Sequence, residues 1–161
     1  MKHAELVQRA GAWLSSRHRC PVVLLEINTR LPFVPDALGI LRSGISHHVE
    51  CKASRSDFLQ DKKKLHFKNE DYLIGDFVWY LTAPGVADPE EVPSHWGLAV
   101  VSGSRVRIEK SAKRRVRKDT RLETQILVSA LVRHQIGVQW YPDTFKFEPY
   151  LGKPPPKRKE K

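Results

Sequence analysis

One stretch, residues 35–52, limits most strongly what this chain can fold into, because it predicts two strands joined by a tight turn at 42–44. Side chains alternate between the faces of a strand, so residues two apart point the same way. The second strand therefore has a polar row on one face and a mostly small or apolar row on the other. The polar row is Ser46, His48, Glu50 and Lys52, and the other row is His47, Val49, Cys51 and Ala53.

The same hairpin predicts a site for a metal ion and a water molecule. Asp36 lies at the start of the first strand, so the hairpin would bring its carboxylate across to Glu50 and Lys52. Mg²⁺ binds hard oxygen ligands, usually one or two carboxylates with water and substrate phosphate. A nearby lysine can orient the water or stabilise developing charge, which suits phosphodiester hydrolysis. The alternative is an exposed strand in which Glu50 and Lys52 form an ordinary ion pair.

Two further carboxylates are candidates for this site. Residues 3–16 have apolar side chains at helical spacing, which predicts an amphipathic helix with Glu5 at the edge of its apolar stripe. Glu5 would either face solvent or reach the site. Glu26 interrupts the apolar strand predicted at 21–27, where it would either point outward or help to build a polar pocket.

These residues resemble a known family. Pro35-Asp36 followed by Glu50-Cys51-Lys52 is similar to the site of the PD-(D/E)XK nuclease superfamily, and residues 50–63 resemble a branch with MmcB-like DNA-repair proteins and phage proteins. The resemblance covers about residues 3–110, and departs at Cys51, where a hydrophobic residue is usual. It implies that Asp36 and Glu50 bind Mg²⁺ or Mn²⁺, that Lys52 assists the water, and that Glu5 or Glu26 completes the ligand set.

The net charge of +10 is concentrated in two segments. Residues 105–121 contain nine Lys and Arg against two acidic residues, and residues 153–161 contain five against one. Such concentration suits a polyanionic partner, most simply DNA, although a solvated loop and a solubilising tail are the alternative. A phosphate could also meet the helix N-terminus predicted at Ser54 and Arg55, unless Ser54 only caps that helix. The residues expected to contact DNA are Ser54, Arg55, Lys113, Arg114, Arg115, Arg117 and Lys118.

The order of predicted elements favours an α/β domain with a restriction-endonuclease-like core, a central mixed sheet flanked by helices. Further strands are predicted at 75–82 and in a second hairpin over 96–109, and a helix with a capping box is predicted to start at Thr120. The nuclease-like domain would span residues 1–150. Residues 151–161 would form a basic, disordered tail.

Composition limits the setting in which the chain acts. No apolar run approaches the roughly 20 residues that cross a bilayer, so no membrane partner is expected. The chain has two cysteines, Cys20 and Cys51, which indicates a reducing cytoplasm rather than a disulfide framework.

Two functions are therefore expected as alternatives. The first is a Mg²⁺- or Mn²⁺-dependent deoxyribonuclease acting in DNA repair, recombination or phage DNA processing, with a homodimer as the form that cuts both strands. The second is a non-catalytic nucleic-acid-binding module that retains the nuclease fold, with affinity that falls steeply as salt rises.

Overall fold

The computed structural model describes residues 1–27, 34–63 and 74–133, and the backbone of 137–139 and 148–150. Within these ranges, six strands form one mixed sheet whose order across the sheet follows the order along the chain. The strands are β1 Val22–Leu25, β2 Ala37–Ile40, β3 Ser46–Lys52, β4 Phe77–Thr82, β5 Gly97–Ser102 and β6 Arg105–Lys110. The strands β7 Gly137–Gln139 and β8 Glu148–Tyr150 pair separately in an antiparallel ladder.

The strand β3 lies near the middle of the large sheet. It pairs antiparallel with β2, as predicted for the hairpin, and parallel with β4. The strand β5 continues parallel to β4, and β6 closes the sheet by pairing antiparallel with β5. The predicted second hairpin is thus confirmed, and its outer strand exposes Arg105, Arg107 and Glu109.

Among the residues that the structure describes, three α-helices cover the sheet: α1 His3–Ser16, α2 Arg55–Asp61 and α3 Thr120–Arg133. The helix predicted at 3–16 is confirmed, since its apolar stripe is buried against Val49, Cys51 and Trp79. On the opposite face, Phe58 of α2 packs in a cluster with Val78, Tyr80 and Leu98. Ile126 of α3 packs on that same side with Leu38 and Ile74.

Both faces of β3 are consequently covered. All seven residues of β3 are buried, including the polar row that contains Ser46, His48, Glu50 and Lys52. The predicted α/β architecture with a mixed sheet flanked by helices is confirmed. The alternative in which β3 exposes an ordinary ion pair is wrong, because α2 and α3 pack on the face that carries the pair.

Two local predictions need correction. The capping box expected at Thr120 is absent from α3: Asp119 caps the helix, and its Oδ1 accepts a 2.8 Å hydrogen bond from the N–H of Leu122. Glu123, expected to complete that box, is instead buried and accepts a hydrogen bond from the N–H of Gly75 at 3.2 Å. The segment 85–95 is not simply a surface loop, since Val92 and its neighbours Val86 and Ala87 are buried.

Two further expectations concern the C-terminal tail and the membrane. The predicted tail, 151–161, lies outside the described residues. In the part of the chain that is described, the helices are all too short or too polar to cross a membrane.

Candidate active site

The centre of the candidate site is the ion pair between Glu50 and Lys52 at the carboxyl end of β3. Nζ of Lys52 lies 2.9 Å from Oε2 of Glu50, and Nε2 of His48 lies 2.9 Å from its Oε1. The three side chains project from the same face of β3, as the alternation predicts. Glu50 is 4% exposed and Lys52 is 6% exposed, so the pair is shielded from bulk solvent.

Two residues from other elements extend this ion pair. Asp61, at the end of α2, places Oδ1 3.0 Å from Nζ of Lys52. The hydroxyl of Tyr80 donates a 2.7 Å hydrogen bond to Oδ2 of Asp61. Tyr80 reaches this position because β4 pairs parallel with β3 in the register that sets Tyr80 beside Glu50. His48, Glu50, Lys52, Asp61 and Tyr80 therefore form one continuous buried network.

The network favours the charged forms of its central pair. Burial alone would raise the pKa of Glu50, but the hydrogen bond from His48 and the charge of Lys52 outweigh it and lower that pKa to about 2. Burial alone would lower the pKa of Lys52, but Glu50 and Asp61 raise it well above its ordinary value. Glu50 and Asp61 therefore favour the protonated, hydrogen-bond-donating form of Lys52.

Asp36 lies against the same part of β3. Its Oδ2 accepts a 2.7 Å hydrogen bond from the N–H of Cys51, the residue between Glu50 and Lys52. Burial and the negative charge of Glu50 raise the pKa of Asp36, and the Cys51 hydrogen bond and Lys52 oppose this shift only in part. The hairpin thus brings Asp36, Glu50 and Lys52 together, as predicted.

Glu26 and Glu5, the two candidates for a further carboxylate ligand, have different surroundings in the structure. Nε2 of His3 lies 3.3 Å from Oε1 of Glu26 and 3.5 Å from Oδ1 of Asp36, so these residues form the solvent side of the site. The backbone N–H of Glu26 also donates to the carbonyl of Asp36 at 3.0 Å. Glu5 is exposed in the first turn of α1, and none of the described contacts joins its carboxylate to Asp36 or Glu50.

The donors present fit a divalent cation. Burial and the repelling charge of Glu50 raise the pKa of Asp36. The donor atoms that lie within 4.8 Å of one another are those of Asp36, Glu26 and His3, whereas both oxygens of Glu50 already contact His48 and Lys52. A cation would relieve that repulsion, and hard carboxylate oxygens are the ligands that Mg²⁺ and Mn²⁺ accept. Glu26 adds a third carboxylate on the solvent side, and His3 adds a nitrogen donor.

The α2 N-terminus is occupied by contacts within the protein. Oγ of Ser54 caps α2 by accepting a 3.2 Å hydrogen bond from the N–H of Asp57. The guanidinium of Arg55 forms a bidentate ion pair with Glu91, with Nη2 2.6 Å from Oε1, and also donates to the carbonyl of Val86. Of the two roles considered for Ser54, the structure shows helix capping. Arg55 already has a carboxylate partner in Glu91.

The part of the basic segment from Arg114 to Lys118 lies at the opposite end of β3. Nζ of Lys118 lies 2.7 Å from Oδ2 of Asp76 and 2.9 Å from Oγ of Ser46, the first residue of β3. Arg114 donates to Oδ1 of Asp76 at 3.2 Å, so both cations are partly neutralised. Lys52 is six residue steps along an extended strand from Ser46, or about 20 Å. The segment lines an open groove of about 690 Å³ formed by Asp76, Arg114, Arg115, Val116, Arg117, Lys118 and Thr120.

Sequence reasoning missed three residues of the site and interpreted a fourth, His48, as a polar strand residue. His48 carried a usable signal, since it shares the face of Glu50 one strand repeat away. Asp61 and Tyr80 carried none, because the packing of α2 and the register of β4 bring them in. His3 is brought to Asp36 by the position of α1 on the sheet, which no local pattern encodes.

Comparison with known proteins finds a solved structure with a similar fold but no matching family. No family model and no curated protein matches the chain. A solved structure of a protein of unknown function from Silicibacter pomeroyi is similar, with a TM-score of 0.60 and 20% sequence identity. The similarity covers 84% of this chain and 88% of that one, so nearly the whole α/β architecture occurs in both proteins.

Proposed function

We propose that this protein is a metal-dependent nuclease that hydrolyses DNA, with a restriction-endonuclease-like core of the PD-(D/E)XK type. The observation that supports the proposal is the convergence of three side chains at the end of β3. Lys52 and Glu50 are in contact at 2.9 Å, and Asp36 is held beside them by the N–H of Cys51 at 2.7 Å. Two acidic groups that can hold a divalent ion and a protonated lysine that can stabilise developing charge suit phosphodiester hydrolysis.

Each residue has a role that follows from its surroundings. Asp36 and Glu50 would hold Mg²⁺ or Mn²⁺, with Glu26 and His3 on the solvent side. A bound divalent ion neutralises the scissile phosphate and lowers the pKa of a water molecule. Lys52 is held in its charged form by Glu50 and Asp61, so it would donate a hydrogen bond to a water or to a phosphate oxygen.

The substrate proposal depends on the distribution of positive charge. Lys113, Arg115 and Arg117 precede α3 and would contact the phosphate backbone away from the cleaved bond, whereas Arg114 and Lys118 pair with Asp76. The separation of about 20 Å along β3 corresponds to about six base pairs of duplex DNA. We further infer that the protein works on DNA in the cytoplasm and that a homodimer would position two such sites on opposite strands, which light scattering of the purified protein would test.

A cleavage assay tests the proposed function directly. Supercoiled, single-stranded and branched DNA would be incubated with the protein and Mg²⁺ or Mn²⁺, beside Lys52→Ala and Asp36→Ala. The wild type should cleave at least one substrate, and both variants should lose that activity. Glu5→Gln is the matched control and should cleave like the wild type. Cleavage that survives both alanine substitutions would exclude this site.

The structure also gives a reason to retain the alternative, a non-catalytic nucleic-acid-binding module. Both carboxylate oxygens of Glu50 contact partners within the protein, and Lys52 lies between two carboxylates. Such a closed network could stabilise the fold without chemistry. Salt-dependent DNA binding without cleavage, and without metal uptake that depends on Asp36 and Glu50, would favour the module over the enzyme.

A further inference from the structure

Asp61 is the residue whose position explains how Lys52 is held. Its side chain is 1% exposed, and its two oxygens contact different residues. Oδ1 lies 3.0 Å from Nζ of Lys52, and Oδ2 accepts the 2.7 Å hydrogen bond from the hydroxyl of Tyr80. Among the contacts of the described residues, Asp61 and Tyr80 are joined to the candidate site through Lys52.

We propose that Asp61 is the positioning residue of this site, which holds the ammonium of Lys52 between two carboxylates and so directs its remaining N–H donation toward a phosphate oxygen or a water. The inference rests on the proposed nuclease function and specifies what Lys52 contributes to it. Asp61 itself would touch neither the DNA nor the metal ion.

The geometry supports this role in two steps. A lysine ammonium has three donors on a long, flexible side chain, so a single contact limits its distance but leaves its direction variable. The 2.9 Å hydrogen bond to Glu50 uses one donor, and the 3.0 Å ion pair with Asp61 holds the ammonium from a second direction, which restricts where the remaining N–H bonds point. The exposed fraction of Lys52 is 6%, so the remaining access to this ammonium is narrow.

Tyr80 provides the next level of support. A carboxylate can rotate about its terminal torsion, and a hydrogen bond to one oxygen restrains the position of the other. Tyr80, which restrains Asp61, lies on β4 beside Glu50 of β3, which pairs with Lys52. Asp61 comes from the end of α2, nine residues after Lys52, so a short helix completes the arrangement.

The competing explanation is purely structural: Asp61 would only anchor α2 to the sheet. The experiment therefore compares Asp61→Asn and Tyr80→Phe with Ile126→Ala, which weakens the packing of α3 on the same face of the sheet. Ile126 belongs to the cluster with Leu38 and Ile74, outside the charged network. Two measurements are made on the full chain: kcat and KM for DNA cleavage, and the NMR resonance of the Lys52 ammonium, assigned by its loss in Lys52→Ala.

We expect Asp61→Asn to lower kcat by about 10- to 100-fold, as is typical when the partner of a functional group is removed. KM for DNA should stay within about twofold, since Asp61 does not contact the substrate. Tyr80→Phe should lower kcat by less, and both variants should shift or broaden the Lys52 ammonium resonance. Ile126→Ala should preserve that resonance.

Two results would overturn the inference. One is an Asp61→Asn protein whose kcat falls no further than that of Ile126→Ala, and the other is an unchanged Lys52 ammonium resonance in Asp61→Asn. If the wild type cleaves none of the DNA substrates, the nuclease proposal fails on its own. The ammonium resonance then still decides whether Asp61 positions Lys52.

Discussion

The backbone N–H of Cys51 donates a 2.7 Å hydrogen bond to the carboxylate of Asp36. This contact crosses the hairpin formed by β2 and β3 and holds Asp36 beside the peptide unit that joins Glu50 to Lys52. The proximity raises the pKa of Asp36, through burial and the charge of Glu50. The carboxylates of Asp36 and Glu50 therefore repel each other, and a bound divalent cation would offset this repulsion.

The choice between Glu26 and Glu5 can be decided by metal binding alone. Glu26→Gln should weaken Mn²⁺ binding on the order of tenfold, about 1.4 kcal/mol, because it removes a negative charge beside His3 and Asp36. Glu5→Gln is the matched control and should bind Mn²⁺ like the wild type. Isothermal titration calorimetry on the full chain measures both constants. The reverse order would assign the additional ligand to Glu5.

DNA affinity should depend on Arg117 and not on Arg55. Arg117 is exposed in the basic segment, whereas Arg55 is held in the bidentate pair with Glu91. Arg117→Ala should therefore weaken DNA binding and reduce the slope of log K against log salt by about one. Arg55→Ala, which removes the same charge, should leave that slope unchanged. Fluorescence anisotropy over a salt series measures both, and equal slopes would contradict the prediction.

The pH dependence of stability should carry a contribution from Asp76. Partial burial would raise the pKa of Asp76, but Lys118 and the N–H of Ser46 outweigh it and lower that pKa to about 2. Because the pKa falls below its unfolded value on folding, ionised Asp76 stabilises the protein above about pH 4, and this contribution is lost as the pH falls toward 2. Asp76→Asn should lower the free energy of unfolding by about 2 kcal/mol at pH 7.

Urea titrations at several pH values measure this effect. The difference between the wild type and Asp76→Asn should narrow as the pH falls from 4 toward 2. Asp57→Asn changes an exposed carboxylate in the first turn of α2 and should alter stability by less than about 0.5 kcal/mol. A difference between wild type and Asp76→Asn that is constant with pH would show that the charge of Asp76 is not what stabilises the fold.

Gly97 should be intolerant of a side chain. It pairs with Trp79 across the parallel ladder of β4 and β5, and a Cβ at this position would overlap the indole ring. Gly97→Ala should therefore lower the free energy of unfolding by about 3 kcal/mol. In Gly11→Ala, by contrast, the new Cβ lies 3.1 Å from a methyl group of Leu25, which can move, and the helix gains up to about 1 kcal/mol of propensity. Thermal unfolding of both variants tests the contrast.

The local part of this fold was predictable from the sequence. The alternation in β3 and the turn before it are patterns of period two, and they identified the polar row that contains Glu50 and Lys52. The apolar stripe of α1 was equally predictable, since residues spaced by three and four positions lie on one side of a helix. The capping residue of α3 was misassigned by one position, because Asp119 competes with Thr120 for the same role.

The remaining contacts of the site depend on packing between distant segments. The register between β3 and β4 sets Tyr80 beside Glu50, and no composition or spacing records that register. The charge cluster at 105–121 was visible, yet its partner Asp76 was not, and that partner commits Lys118 and Arg114 to contacts inside the protein. A count of positive residues therefore overstated how many remain for DNA.

The burial of β3 on both faces and both edges has a consequence for how this protein can evolve. Amide protons in such a strand exchange with solvent only when the whole domain opens, so residues 46–52 should be among the slowest to exchange. The groups proposed to carry chemistry therefore lie in the last part of the molecule to unfold. Substitutions that tune the chemistry at Glu50 or Lys52 must also be compatible with the folding core, which leaves little sequence space for new activities at this strand.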